Sequence, residues 1–278
     1  MIDLSSYREN IYQNYGLREC PHYGEDGVIL KIFEEIEVSN SPQCVEFGEL
    51  RVLGTTTRSF RIAHKAKAIY FSGTYDFRSF YLNVIDIFRI IFITKSLNHL
   101  KFLFNFPFKE LATVENIESI LSSNHVDKNE LDIICVDIDS YDYYIVKKLL
   151  DLSYWPKLFI VEYNPFFGTE RKCSYPLRTA WEFSNSRMYG ASYALLNELF
   201  DNLNYKLCFV SGFCNLFYIR EDFAHKFSLA NIGDEITDTD EKINDYLNKY
   251  CQKGFAPSWM NAPPLTDEDF SFLDHFDS

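Results

Sequence analysis

Leu131-Asp132-Ile133-Ile134-Cys135-Val136-Asp137-Ile138-Asp139-Ser140-Tyr141-Asp142-Tyr143 is the stretch that decides the fold. Its first half is a continuous β-branched and apolar run, the pattern of a strand covered on both faces. It ends abruptly in three carboxylates ahead of a helical pattern. A second run, over 157–163, ends the same way in Glu162-Tyr163-Asn164-Pro165. In open α/β sheets the carboxyl ends of neighbouring strands are where ligands bind. Three crowded acids repel one another unless they are protonated, hydrogen-bonded or bridged by a cation. The plainer reading is that Asp139 or Ser140 caps the helix starting near Tyr141, and that Asn164 marks a turn before Pro165.

Working outward, further strand patterns fall at 43–47, 68–71, 101–104, 205–210 and 215–219. Helical patterns fall at 25–37, 58–65, 76–88, 114–122, 141–150 and 192–203. Five strands alternating with helices predict a mostly parallel sheet with helices on both sides. The last two runs are separated by Ser211-Gly212-Phe213-Cys214, a length suited to an antiparallel hairpin. The expectation is an α/β, mostly parallel seven-stranded sheet closed by that hairpin. It divides into a helical cap over 1–40, a central domain over 41–222, and a helical extension with an acidic tail over 223–278.

Composition narrows the partners. The 278 residues are 47% hydrophobic and 17% aromatic, with 26 Phe and 19 Tyr, enough for a continuous core built largely on rings. A net charge of −13 without a dense basic block excludes nucleic acid as the expected partner. Seven cysteines without a Cys-x-x-Cys pair suggest neither a disulfide framework nor a zinc knuckle, and Cys44, Cys135 and Cys208 read as core thiols of a cytoplasmic protein. The chain start lacks an apolar leader, and the most apolar stretch, 85–93, is interrupted by Asp86 and Arg89, so no transmembrane segment is expected. The aromatic content is compatible with a homodimer.

In order along the chain stand Gly24-Glu25-Asp26-Gly27, Val45-Glu46-Phe47-Gly48, Asp137-Ile138-Asp139-Ser140-Tyr141-Asp142-Tyr143 and Glu162-Tyr163-Asn164-Pro165, with echoes at Val114-Glu115-Asn116-Ile117, Gly190-Ala191-Ser192 and Asn215-Leu216-Phe217. This succession, over about residues 20 to 220, resembles the FkbM-like S-adenosylmethionine-dependent methyltransferases, especially a subgroup from bacterial glycan clusters. The resemblance implies a Rossmann-like class I methyltransferase fold and O-methylation of a sugar, glycan or nucleotide-sugar intermediate. It also implies S-adenosylmethionine as cofactor.

On that resemblance Glu46, Gly48, Ser72, Asp76 and Asp137 fall on the cofactor side. Asp139, Asp142 and His22 are the candidates for catalysis, and Glu25, Asp26, Tyr143 and Asn164 for substrate contact, joined by Arg178 from the long segment 166–189, an insertion of the kind that forms lids or acceptor pockets over strand ends. Asp137, Asp139 and Glu162 form an oxygen-rich set suited to a divalent ion such as Mg²⁺. The chain departs from the family pattern at Arg51-Val52, where an Asp-Gly pair is expected, and at Ser72, where the fold usually offers an acid to the cofactor ribose. Two other readings therefore stay open. One is a methyltransferase-like binding protein without methyl transfer. The other is a metal-dependent enzyme on the same fold using another nucleotide donor, with Arg51 meeting a phosphate.

Overall fold

A computed structural model describes residues 1–9, 24–48, 54–72, 77–94, 111–177, 186–230, 239–250 and 258–276. Arg51, Val52, His22, Asp76 and Arg178 lie outside them, as does the strand expected at 101–104. The helices are α1 (Glu25–Glu35), α2 (Arg58–His64), α3 (Phe77–Thr94), α4 (Ile117–Ser123), α5 (Asp142–Asp151), α6 (Tyr193–Asp201), α7 (Glu221–Ala224), α8 (Asp240–Tyr250) and α9 (Asp267–Phe272). The strands are β1 (Gln43–Phe47), β2 (Lys67–Phe71), β3 (Leu131–Val136), β4 (Leu158–Glu162), β5 (Cys173–Ser174), β6 (Tyr205–Ser211), β7 (Asn215–Arg220) and β8 (Asp274–His275).

Every residue of β1, β3 and β4 is buried, which is what a sheet sandwiched between helix layers demands and what the unbroken apolar runs encode. Strand alternation sorts the side chains into two cores. Val45, Phe47, Ile134, Val136, Phe159 and Val161 face α4, α5 and α6. Cys44, Ile133, Cys135, Leu158 and Ile160 face α1 and α2. Val28, Ile29, Ile32 and Phe33 bury one stripe of α1 in the second core, as the three- and four-residue spacing predicts.

The sheet runs β2-β1-β3-β4-β7-β6. The first four strands pair in parallel, and β7 and β6 are antiparallel, so the predicted hairpin is present. Among the described residues the sheet has six strands rather than the seven expected, and β2 stands at its end. Strand order reverses between β1 and β3: the chain leaves β1 for β2 on one side and returns to β3 on the other. This is the place where an open α/β sheet leaves a crevice at its carboxyl edge.

The C-terminal residues are tied back to this body. β8 pairs with β5 in a small antiparallel sheet, and Ile243, Tyr246, Leu247 and Trp259 pack with Tyr189 and Phe213. Among the described residues no helix is long and apolar enough to cross a membrane.

Candidate functional site

Buried carboxylates stand at both ends of the sheet, and the two ends treat them differently. At the amino end, Asp132 accepts hydrogen bonds from Ser39 N (3.0 Å), Ser39 Oγ (2.9 Å) and Gln43 N (3.3 Å), and Lys157 Nζ lies 2.9 Å away. That acid is fully compensated and structural. At the carboxyl end, Glu162 closes β4 with 6% of its surface exposed, and its Oε2 is buried without a hydrogen-bond partner. Buried polar atoms in folded proteins are nearly always satisfied, so an orphaned carboxylate oxygen marks this end as the one built for something else. Burial pushes the Glu162 carboxyl far up, and Asp137, Asp139 and Asp142 push it further. The nearby Asp139 backbone amide works against them.

The loop after β3 explains how those acids are held. Asp142, fully buried at the first position of α5, accepts the N–H of Ile138 at Oδ1 (2.9 Å) and of Ser140 at Oδ2 (3.1 Å). It thus clamps the residues on either side of Asp139, which sits at φ 56° in the left-handed region. Asp is among the few non-glycine residues that adopt this region readily, and the clamp fixes its turn. Tyr141 rather than Asp139 or Ser140 occupies the N-cap, and its side chain makes no cap hydrogen bond. Asp139 is half-buried, and burial raises its carboxyl to about 6. Asp142 rises to about 7, mainly through burial, against the hydrogen bonds that it accepts.

Two further side chains that the sequence motifs did not single out complete the neighbourhood. Cys214 stands in the β6–β7 turn, its N–H bonded to Ser211 O (3.1 Å) and its carbonyl accepting Tyr163 N–H (2.9 Å). Ligand atoms of Asp137, Glu162 and Cys214 lie within 4.8 Å of one another. The Cys214 thiol is pushed far up by burial, then by Asp137 and Glu162. The buried Tyr189 hydroxyl is raised in the same way, by burial and then by Glu162. Asn215 sits opposite Glu162 in the β4–β7 register and donates from Nδ2 to Glu25 Oε1 (3.1 Å). Glu25, buried at the start of α1, rises to about 7 because burial outweighs the hydrogen bond from Asn215 and the lowering influence of the nearby Ser211.

The structure gives most of the other candidates partners within the protein. Glu46 accepts Thr56 N–H (2.8 Å), Thr57 N–H (3.0 Å) and Thr57 Oγ1–H (2.8 Å), so its carboxylate organises the entry to α2. Gly48 lies at φ 116°, and a Cβ there would come 1.5 Å from Asp137 O. Its lack of a side chain is what lets the β1 and β3 tips close together. Asp26 is ion-paired with Arg58, Nη2 to Oδ2 at 2.6 Å, with both side chains buried. Asn164 donates to Arg187 O (2.8 Å) and Tyr189 O (2.9 Å) and accepts Phe166 N–H (2.9 Å), fixing the chain after β4. Tyr143 packs its ring on Tyr144 and Phe276, and Ser72 is buried beyond the end of β2.

Comparison with protein-family models, curated proteins and solved structures gives no match. The site must therefore be read from its own geometry. The structure brings Asp137, Asp139, Asp142 and Glu162 to one edge with Glu25, Cys214 and Tyr189. Cys214 could have been found in the sequence only by aligning the hairpin turn with the end of β4. The five cysteines among the described residues are all free, and Cys44, Cys135 and Cys208 are buried as expected.

Proposed function

We propose that the chain is an S-adenosylmethionine-dependent O-methyltransferase that methylates a hydroxyl of a sugar or glycan intermediate, in a cytoplasmic setting to which its free thiols are suited. The observation that carries this reading is Asp139. Its carboxyl is poised at about 6, in a clamped left-handed turn at the sheet's carboxyl edge, beside the unsatisfied oxygen of Glu162. A general base works best with a pKa close to the working pH, and methyl transfer to a hydroxyl needs one such group and accurate positioning more than covalent chemistry.

The crowd of carboxylates at this edge also fits a cationic cofactor: it favours a sulfonium or an ammonium group and opposes a phosphate, which weighs against a nucleotide donor. When bound, S-adenosylmethionine supplies an electrophilic methyl group. The β1 and β3 tips, where the strand order reverses, are the side on which it would lie. Asp139 accepts the proton of the acceptor hydroxyl, Asp142 holds the Asp139 turn in place, and Glu162 lies on the acceptor side. The motif order Gly24 to Asn215 supports the reading further, because Glu25, Asp137, Asp139, Glu162 and Asn215 all meet at this one edge. The use of Glu46 and Gly48 within the protein favours a second reading, a methyltransferase-like binding protein without turnover.

Calorimetric titration with S-adenosylmethionine and S-adenosylhomocysteine decides between them. Saturable binding of both is expected, together with a kcat/KM that rises with pH through about 6 as Asp139 ionises. Asp139→Asn should abolish turnover and its pH dependence while leaving cofactor binding and thermal unfolding near those of the parent. Absence of heat with either ligand on folded protein, or full turnover in Asp139→Asn, would refute the assignment.

A further inference from the structure

We propose that Asp137, Glu162 and Cys214 are the protein ligands of a divalent cation, and that the ion is zinc or a similarly thiophilic metal rather than magnesium. The inference deepens the reading of this edge as the acceptor side and rests on that reading, but it does not require that the reaction be methyl transfer.

Three independent elements supply the ligands: the end of β3, the end of β4 and the β6–β7 turn. Their ligand atoms already lie within 4.8 Å of one another. Tetrahedral zinc with bonds of about 2.0 Å to oxygen and 2.3 Å to sulfur spaces its ligands roughly 3.3–3.5 Å apart, so side-chain adjustments of about 1 Å complete the set. Crowded acids alone would not point to a ligand. The second observation is Glu162 Oε2, an atom of a side chain 6% exposed, buried without any hydrogen-bond partner. Its compensated counterpart Asp132, with three donors and a lysine, shows that this fold supplies partners to a buried carboxylate where the carboxylate is structural.

The thiol decides which ion. Magnesium demands octahedral oxygen ligands and keeps its waters, whereas a sulfur ligand selects zinc and its softer neighbours. Three protein ligands with one position open is the arrangement of catalytic zinc sites, in contrast to the four that close a structural site. The surroundings support the site: the Cys214 backbone is pinned by Ser211 and Tyr163. An acceptor hydroxyl in the open position would lose its proton more easily, through Lewis-acid polarisation of its oxygen.

Cobalt(II) titration of the untagged, chelator-stripped full chain tests this, because cobalt reports thiolate ligation by a near-ultraviolet sulfur-to-metal charge-transfer band. Expected are one equivalent bound with that band, displacement by zinc but not by magnesium, and loss of the band in Cys214→Ser. Asp137→Asn, whose side chain is only half-buried and so carries less folding risk, should weaken zinc binding by at least the roughly tenfold that loss of even an outer-shell partner costs. No saturable cobalt binding, a band that survives Cys214→Ser, or displacement by magnesium each overturns the proposal. Zinc bound without any S-adenosylmethionine heat would keep the metal site and remove methyl transfer. Cofactor heat without the cobalt band would do the reverse.

Discussion

Replacing Glu25 by Gln should make the protein more stable, and only above mildly acidic pH. Glu25 is 1% exposed, and burial moves its carboxyl from 4.5 to about 7. Across that window the folded chain keeps a proton that the unfolded chain has released. The stabilising contribution is complete below 4.5 and is lost as pH rises to about 7. At ~1.4 kcal/mol per pKa unit, the whole shift corresponds to about 3 kcal/mol. Gln presents the same carbonyl-type acceptor to Asn215 Nδ2 but carries no charge, so it removes the loss without removing the bond. Urea unfolding of parent and variant at pH 4.5 and pH 8 should give equal stabilities at the lower pH and a variant about 3 kcal/mol more stable at the higher. Parallel pH profiles for the two proteins would refute the argument, because a solvated Glu25 would titrate alike in both states.

Gly48→Ala should cost at least ~3 kcal/mol, since a Cβ would be forced to 1.5 Å from Asp137 O in a backbone conformation that side chains disfavour. Thermal unfolding reads this directly, and an unchanged midpoint would mean that the strand tips are looser than described. Arg58→Met should destabilise by ~3–5 kcal/mol by removing the guanidinium that is ion-paired with buried Asp26, and adding Asp26→Asn should recover most of the loss. Denaturant curves in which the double variant is as weak as the single one would assign the cost to lost packing instead.

Strand and helix periods in this chain could be read directly because they follow from local chemistry. Val45, Ile134 and Phe159 against Cys44, Ile133 and Leu158 encode two covered faces by alternation alone, and Val28 to Phe33 encode the buried stripe of α1. The convergence of Asp137, Asp139 and Glu162 was legible too, because parallel strands must deliver their carboxyl ends to one edge. What remained hidden depends on long-range pairing. Cys214 reaches Glu162 only through the register of β7 on β4, which no local pattern states. Whether an acid is spent or spare was equally hidden: Glu46 and Asn164 are satisfied by main-chain groups of loops whose course follows from the tertiary fold. The C-terminal acids drew attention to a tail, while the residues that anchor it, Tyr246, Trp259 and Phe276, are aromatic rings scattered among them.

One of those rings has a developmental meaning. Tyr246 lies across Gly212, where any side chain would meet it at 2.6 Å, and its hydroxyl receives a hydrogen bond from Arg8. The turn carrying Cys214 thus has its floor laid by a helix synthesised after every strand of the six-stranded sheet is complete. A growing polypeptide can assemble the sheet early, yet its acid-and-thiol edge takes final shape only once residue 246 has emerged.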